Sequence, residues 1–379
     1  MGFKEYEKNM SFLDMELSKT LGTSRTQRVL KEIHEHIRWE PLERILLAGY
    51  PVGKSPVGNA AYPPLMLLKA VLLQKWFGIR SDPELENQIN DRVSFKVFIG
   101  LPLGDPSPDH SVISRFRDRV GSKVMERVHA EILGQLQKKG FSIDAGLAMD
   151  ARLVRSVSTP VSRDKIEEKK LEREQRKQDL TKKPMKFGRD LESDWTKRKG
   201  VPFYGMKEHA SIDVVSGLVR STLLSPASEH DTNYLQYVVV NGIHTKKLPP
   251  KVYADKGYHG QANREFLHIN DIADGIMRKD ERNATLTQME IERNKMISKV
   301  RYKIEQYFGV TALHQGAGRA RFTTLAKEGW DRLCHAIAFN IKRSYPTGFR
   351  SPVPVNQGQV CYEYGSCHKT DGKRRNSDS

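Results

Sequence analysis

The chain has 379 residues, 38% hydrophobic and 29% charged, with 63 Lys and Arg against 46 Asp and Glu, a formal net charge of +17 and a pI near 9.6. That length is a prior for two or three domains with enough apolar content for a buried core, and the charge points to a polyanionic partner rather than to any particular fold. Three cysteines without a CxxC pair argue against a disulfide framework or structural zinc, and no segment reads as a signal peptide, a myristoylation site or a membrane span, so a soluble protein of a reducing cytoplasm is expected.

Residues 1–140 read as helical. From Pro64, PLMLLKAVLLQKWFG places Leu65, Leu68, Val71, Leu72 and Trp76 along one face at helical spacing, with Pro64 suited to a first turn and Gly78 to the stop. In SDPELENQINDRVSFKVFIG, which follows, Ser81 is a candidate N-cap and Pro83 falls in the first turn. GLPLGDPSPDHS is dense in Pro and Gly and reads as a loop, after which HSVISRFRDRVGSKVMERVHAEILGQLQKKG resumes the helical period with a break expected at Gly121. Arg115, Arg117 and Arg119 on this helix are candidate DNA contacts, although alternate positions cannot all share one helix face.

From Phe141 the period changes. SIDAGLAMDARLV, VPFYGMKEHASIDVVSGLVRSTLLSPA and KVYADKG read as strands, the middle segment being a hairpin that turns at DVVSG. Helical segments then alternate with short strands, up to a long helix from about Leu286 to Phe308. Three consecutive strands followed by this alternation predict an α/β mixed sheet flanked by helices, behind an all-helical N-terminal domain. The expected divisions are 1–140 for the helical domain, 141–345 for the sheet-bearing domain and 346–379 for a flexible tail. Residues 162–199, with 14 basic and nine acidic side chains, read as a solvated, partly helical or disordered insertion, with a DNA-tracking arm as the sharper alternative.

Three carboxylates carry the candidate chemistry. Asp150 interrupts an apolar strand, where an ionised group is costly unless paired or bound to metal. Asp255 ends the run Val252-Tyr-Ala, at the carboxyl end of a strand, where open α/β sheets gather their ligands. Glu305 lies beside the stripe Ile297, Val300, Ile304 and Phe308 of the long helix, with Arg301 four residues earlier. Gaps of 105 and 50 residues mean that only a fold could bring the three together. Hard oxygen ligands from separate elements suit a Mg²⁺-type ion shared with substrate phosphates.

Each Asp taken singly is more often a cap or turn residue, and the plain reading of Arg301 with Glu305 is a surface ion pair; the functional reading puts Glu305 on metal and Arg301 on a phosphate. Lys256, directly after Asp255, is a further candidate DNA contact. Asp144 is a rival first carboxylate whose setting better suits a turn. The histidines His209, His230, His259 and His314 form no close metal pair, and His230-Asp231 either lines the site or caps the helix that follows. No GxxxxGK[ST] motif occurs, and GAGRAR at 316–321 reads as a phosphate contact or a linker.

ADKGY followed by RxxxE, with a strand Asp upstream, resembles the DDE transposases of bacterial insertion sequences, most closely the large family usually numbered five. The resemblance runs from about Tyr62 to about Arg343. YPPLMLLKAVLLQKWFGI, DPELENQINDRVSFKVFIGL and DPSPDHSVISRFRDRV are similar to that family's N-terminal helical domain, YGMKEHASIDVVSGLV and LLSPASEHD to its central segment, and HAIAFNIKR to its closing helix.

The resemblance implies a ribonuclease-H-like core with Asp150, Asp255 and Glu305 as an acidic triad on Mg²⁺, or Mn²⁺ in its place. It further implies double-stranded DNA (terminal inverted repeats and target) as partner, a homodimer or larger synaptic assembly, and a bacterial, nucleoid-associated location. The implied activity is cleavage of element ends and joining of the 3′-hydroxyls to target DNA; a hydrolytic nuclease of the same fold and a catalytically silent DNA-binding regulator are the alternatives. Two departures stand out: Arg152 replaces the Thr of the family's Asp-Ala-Thr, and the Tyr-Arg-Glu-Lys signature of a neighbouring family has Ser298 and Ala312 at its aromatic and Lys positions.

Overall fold

The structure, a computed structural model, describes residues 2–6, 24–53, 59–179, 188–241, 247–280 and 285–345. The expected tail at 346–379, with Cys361 and Cys367, lies outside the described residues. Ahead of the sheet come α1 (Arg25–His36), α2 (Trp39–Gly49), α3 (Pro64–Trp76), α4 (Asp82–Asp91), α5 (Val93–Ile99) and α6 (His110–Lys138). There follow β1 (Leu147–Arg155), α7 (Arg163–Gln178), β2 (Asp194–Arg198), β3 (Val201–Asp213), β4 (Val219–Pro226), α8 (Leu235–Asn241), β5 (Lys251–Ala254), α9 (Gln261–Ile269) and β6 (Ala273–Ile276). Two long helices, α10 (Gln288–Gln315) and α11 (Leu325–Ser344), close the described chain.

Local punctuation falls where the sequence signals it. Pro64 opens α3, and Gly78 follows its end at a φ of +63°. Ser81 Oγ accepts from the Glu84 backbone N–H at 3.2 Å, and Gly121, at φ 69° and ψ 165°, bends α6. The apolar stripe expected on α3 is a correction: the helix is buried on every side, because α2, α5, α6 and α11 all pack around it. Even its two lysines are enclosed. Lys69 Nζ lies 4.8 Å from the Trp39 ring centroid, and Lys75 Nζ donates to Asp331 Oδ1 at 2.6 Å. Burial pushes both ammonium groups down to about 8.

The sheet runs β4-β3-β1-β5-β6, with β2 added against the start of β3. β3 is antiparallel to both β1 and β4, whereas β5 and β6 run parallel to β1. This is the mixed, ribonuclease-H-like sheet that the resemblance implied, behind the expected helical region. One face, with Leu147, Met149 and Val252, packs on α8 and α9 through Val238 and Leu267. The other, with Ala148, Ala210 and Ile212, packs on α10 and α11 through Ile304, Tyr307 and Phe339.

α11 serves both halves, since Trp330, Leu333, Cys334, Ile337 and Ile341 complete the core of the helical region. The insertion also departs from its solvated expectation. Its first part is indeed a charged helix, α7, but its last part is β2, a sixth strand whose Trp195 packs with Tyr204, Val161 and Ile166. Residues 180–187 between them lie outside the described set. No described helix is long and apolar enough to cross a membrane.

Candidate active site

β1 and β5 pair in parallel with Leu147 beside Val252 and Ala148 beside Tyr253. Continuing that register by two residues brings Asp255 level with Asp150, one step past the end of β5. Strand parity aims Asp150 at the face on which α10 lies, the face that Ala148 and Ala210 share. On α10, Ile297, Arg301, Ile304, Tyr307 and Thr311 form the buried stripe. Ile304 and Tyr307 hold the helix on the sheet, and Glu305, next to that stripe, is exposed.

Arg301 ties the acids together. Its guanidinium is buried, 2.8 Å from Asp150 Oδ2 and 3.5 Å from Asp255 Oδ1. Its partners are therefore the two strand carboxylates, not the Glu305 that helical spacing suggested, because the side chain points back under the helix towards the sheet. Its Nε has no hydrogen-bond partner among the described residues. Asp150 also accepts from the Ala151 backbone N–H at 2.8 Å. Burial still drives the Asp150 carboxyl up to about 6, with Asp255 and Glu305 adding repulsion, against the pull of Arg301 and that N–H.

Asp150 and Glu305 line one open cleft of about 560 Å³ with Arg152, Lys207, Asp231 and residues 196–198 of β2. Lys207 was not singled out from the sequence, and Asp231 only as one of two readings of His230-Asp231. They form an ion pair at 2.8 Å, and Asp231 Oδ2 comes so near Gly257 that a Cβ there would sit 3.2 Å away. The loop that carries Asp255 thus passes against a fourth carboxylate. The sequence signal was present in His230-Asp231, and both of its readings hold: His230 caps by accepting from Thr232 N–H, and Asp231 lines the cleft. Lys256 is exposed beside Asp255.

Arg152, where the resemblance expected Thr, points into a buried ion network. It donates to Glu208 at 2.8 Å, to the Phe308 carbonyl at 2.8 Å and to Thr311 Oγ1 at 2.9 Å. Glu208 also accepts from the Tyr307 hydroxyl at 3.0 Å and faces Arg332 at 3.5 Å, and Arg332 pairs with Glu328. Asp144 lies apart, 3.6 Å from Arg220. His209 is a core residue, stacked on Tyr234 at 4.4 Å and within 3.0 Å of Ser225 Oγ, and burial holds its ring down near 3, so it is neutral at physiological pH.

On α6 the three arginines separate. Arg117 is buried, bonded to Asp82 at 2.5 Å and to Gln74 at 3.1 Å, so it belongs to the core and is not presented to DNA. Arg115 and Arg119, four residues apart, are exposed and line a hollow with Lys4, Tyr50 and Tyr62.

Among the described residues, the tightest metal-like trio is Glu86, Asp109 and His110, at the start of α6. It is already spent on itself: Glu86 accepts from the His110 ring and backbone, at 2.8 and 2.9 Å, and Asp109 caps Ser111. The cleft is the opposite case. Asp150, Asp255 and Glu305 offer only oxygen donors, from three elements, with one guanidinium between the first two; that donor chemistry suits a hard divalent cation, and their oxygens do not all lie within 4.8 Å of one another.

A family model described as a transposase DDE domain matches residues 141–341, and one described as a transposase domain (DUF772) matches residues 21–119. Among solved structures, the chain is similar to a piggyBac transposase synaptic complex with hairpin DNA, at 8% identity and a TM-score of 0.41 over 87% of this chain and 77% of that one. It is similar to a pre-cleavage Mos1 transpososome at 10% identity and a TM-score of 0.19, over 80% and 85% of the two chains. Because the DDE model takes in more than half of its 379 residues, this chain belongs to the family of transposases with a DDE domain.

Proposed function

We propose that this DNA transposase cuts element ends and joins the freed 3′-hydroxyls to target DNA with Asp150, Asp255 and Glu305 as its catalytic carboxylates. The observation that carries the reading is the shared guanidinium: two acids 105 residues apart in sequence are held by one side chain, on the helix that brings in the third. DDE transposase domains use divalent metals. Mg²⁺, with Mn²⁺ as a substitute, is the ion we assign to these three carboxylates, where it would supply Lewis acidity to the attacking and leaving oxygens.

The chain's own part is positioning and charge. Asp150 and Asp255 fix the floor of the site through the sheet register, and Glu305 brings a carboxylate in from α10. In the first step a water oxygen bonds to phosphorus at the element end while the bond to the departing 3′-oxygen breaks, leaving a 3′-hydroxyl. In the second, that hydroxyl loses its proton and bonds to a target phosphorus, as the target's own P–O3′ bond breaks and its oxygen takes up a proton. Both are in-line displacements, so one site serves both.

End recognition is assigned to the helical region, 1–140, through Arg115 and Arg119, with Lys256 serving the phosphate nearer the carboxylates; Arg301, buried between Asp150 and Asp255, serves those acids instead. Residues 141–345 form the catalytic part, which shares α11 with the helical core. Two ends require at least two protomers in the synapse, and a bacterial cytoplasm, at the nucleoid, is the proposed setting.

The test is a strand-transfer assay with full-length protein, labelled element ends and Mg²⁺. Asp150→Ala, Asp255→Ala and Glu305→Ala should each abolish both steps while end binding persists. A folded variant that retains near-normal cleavage removes its residue from the assignment, and cleavage without joining in the wild type would favour the hydrolytic nuclease.

A further inference from the structure

The charged insertion contains two parts with opposite electrostatics. On α7 most cations are spent within the protein, Lys165 and Lys170 excepted: Lys169 and Arg176 pair with Glu172 at 2.7 and 2.9 Å, Lys177 with Glu174 at 2.6 Å, and Arg173 with Glu192 at 3.2 Å. On the β2–β3 hairpin they are not. From Trp195 to Lys207 the sequence holds Lys197, Arg198, Lys199 and Lys207 and no acid. Lys197, Arg198 and Lys199 are all exposed, and none has a described carboxylate within ion-pair distance.

The hairpin is a built element. Lys199 and Gly200, at φ 50° and 81°, form its two-residue turn, the left-handed pair that matches the twist of antiparallel strands. Trp195 anchors its base, with Nε1 donating to the Val161 carbonyl at 2.8 Å and the ring 5.3 Å from that of Tyr204. Thr196, Lys197 and Arg198 line the same cleft as Asp150 and Glu305.

Two further exposed cations adjoin it. Arg155 ends β1 with its guanidinium 5.8 Å from the Phe203 ring, and its backbone is hydrogen-bonded to Gly318 and Ala320, on either side of Arg319. The carboxylates Asp150 and Glu305 repel the phosphates to be cut, so exposed cations without an acidic partner on the wall of the same cleft are what would draw a polyanion across it.

We propose that this hairpin is a DNA-gripping wall of the active site. Lys197 and Arg198, flanked by Arg155 and Arg319, hold the phosphodiester backbone of the duplex whose scissile phosphate lies at Asp150 and Glu305. This rests on the assignment of the catalytic carboxylates, and it gives the insertion a substrate-positioning role.

The experiment measures affinity of the full-length protein for a 40-bp mixed-sequence duplex against salt, in EDTA so that no cleavage occurs. Lys197→Ala/Arg198→Ala is compared with Lys165→Ala/Lys170→Ala, which removes the same charge from exposed positions on α7 of the same insertion. The hairpin variant should flatten the slope of log affinity against log salt by about 2, so that between 50 and 200 mM salt the wild type loses about tenfold more affinity than the variant. The α7 variant should keep the wild-type slope, and Lys197→Arg/Arg198→Lys should restore it. A hairpin variant with the wild-type slope, or two double variants with equal slopes, overturns the proposal. Asp150→Ala keeps the two readings apart: it should keep the wild-type slope in EDTA and, in a separate assay of element ends with Mg²⁺, lose cleavage, so cleavage by that variant would sink the catalytic assignment and leave the slope result standing.

Discussion

Two clusters of charge in this molecule use the same residue types to opposite ends. In the buried network each acid is met by cations: Glu208 by Arg152 at 2.7 Å and Arg332 at 3.5 Å, Asp331 by Lys75 at 2.6 Å (with the His335 ring, kept neutral by burial, at 3.2 Å), Asp82 by Arg117 at 2.5 Å and Arg321 at 3.1 Å. At the cleft, Asp150 shares one guanidinium with the neighbouring Asp255, and Glu305 stands exposed. The closed network satisfies its own charges and joins the helical region to the sheet. Asp150 and Asp255 have only Arg301 within ion-pair distance among the described residues, and the cleft beside them is open to solvent. The proposed catalytic carboxylates differ from the network acids in having fewer close cations in an accessible place, not in burial alone.

Breaking the cleft should cost activity far more than stability. Asp150→Ala should lower Mg²⁺-dependent cleavage by at least the roughly 10²–10³-fold that loss of one preorganised electrostatic group costs, with an unfolding midpoint near that of the wild type. Cleavage and thermal melting measured on one preparation test this, and a large fall in melting temperature with residual activity would place Asp150 with the network instead.

The network should behave in reverse. Glu208→Ala strands Arg152 and Arg332 without their shared acid and should cost about 3–5 kcal/mol in urea unfolding. A loss below about 1 kcal/mol would mean that the cluster is not the closed unit described above.

Arg301 sits between the two regimes. In EDTA, Arg301→Ala should destabilise by about 2–3 kcal/mol, less than a fully enclosed pair because Asp255 is 41% exposed. Added Mg²⁺ should raise the melting temperature of the variant more than that of the wild type, since the ion then meets acids that lack their only close guanidinium. Equal Mg²⁺ responses would count against that view.

The smallest effect is acid lability in the network. Burial alone would raise the Asp82 carboxyl, but hydrogen bonds and charge from Arg117, with Gln74 and Arg321, bring it down to about 2 from 3.8. Its folded-state value lies below the unfolded one, so its contribution is present above pH 3.8 and is lost as pH falls through 2. About 2 kcal/mol is at stake, and the stability gap between wild type and Asp82→Asn should narrow over that window. A constant gap would overturn it.

Much of this was legible in the sequence, because short-range rules act on it directly. Pro64, Ser81, Gly121 and the DVVSG turn need only local geometry, and the apolar setting of Asp150 and the strand-end position of Asp255 need only strand parity. The main elements, and the places of the three proposed acids on them, could therefore be read from it. Helical spacing misassigned the partner of Arg301, because periodicity describes neighbours on one helix and not what the opposite sheet presents. It misjudged Arg117 and the outer face of α3 for the same reason: what covers a helix is decided by α11, which returns from more than 200 residues away. The insertion was the hardest case. Composition reports how many charges a segment carries, whereas which of them find partners is fixed only once α7 has paired its own and β2 has been zipped onto the sheet.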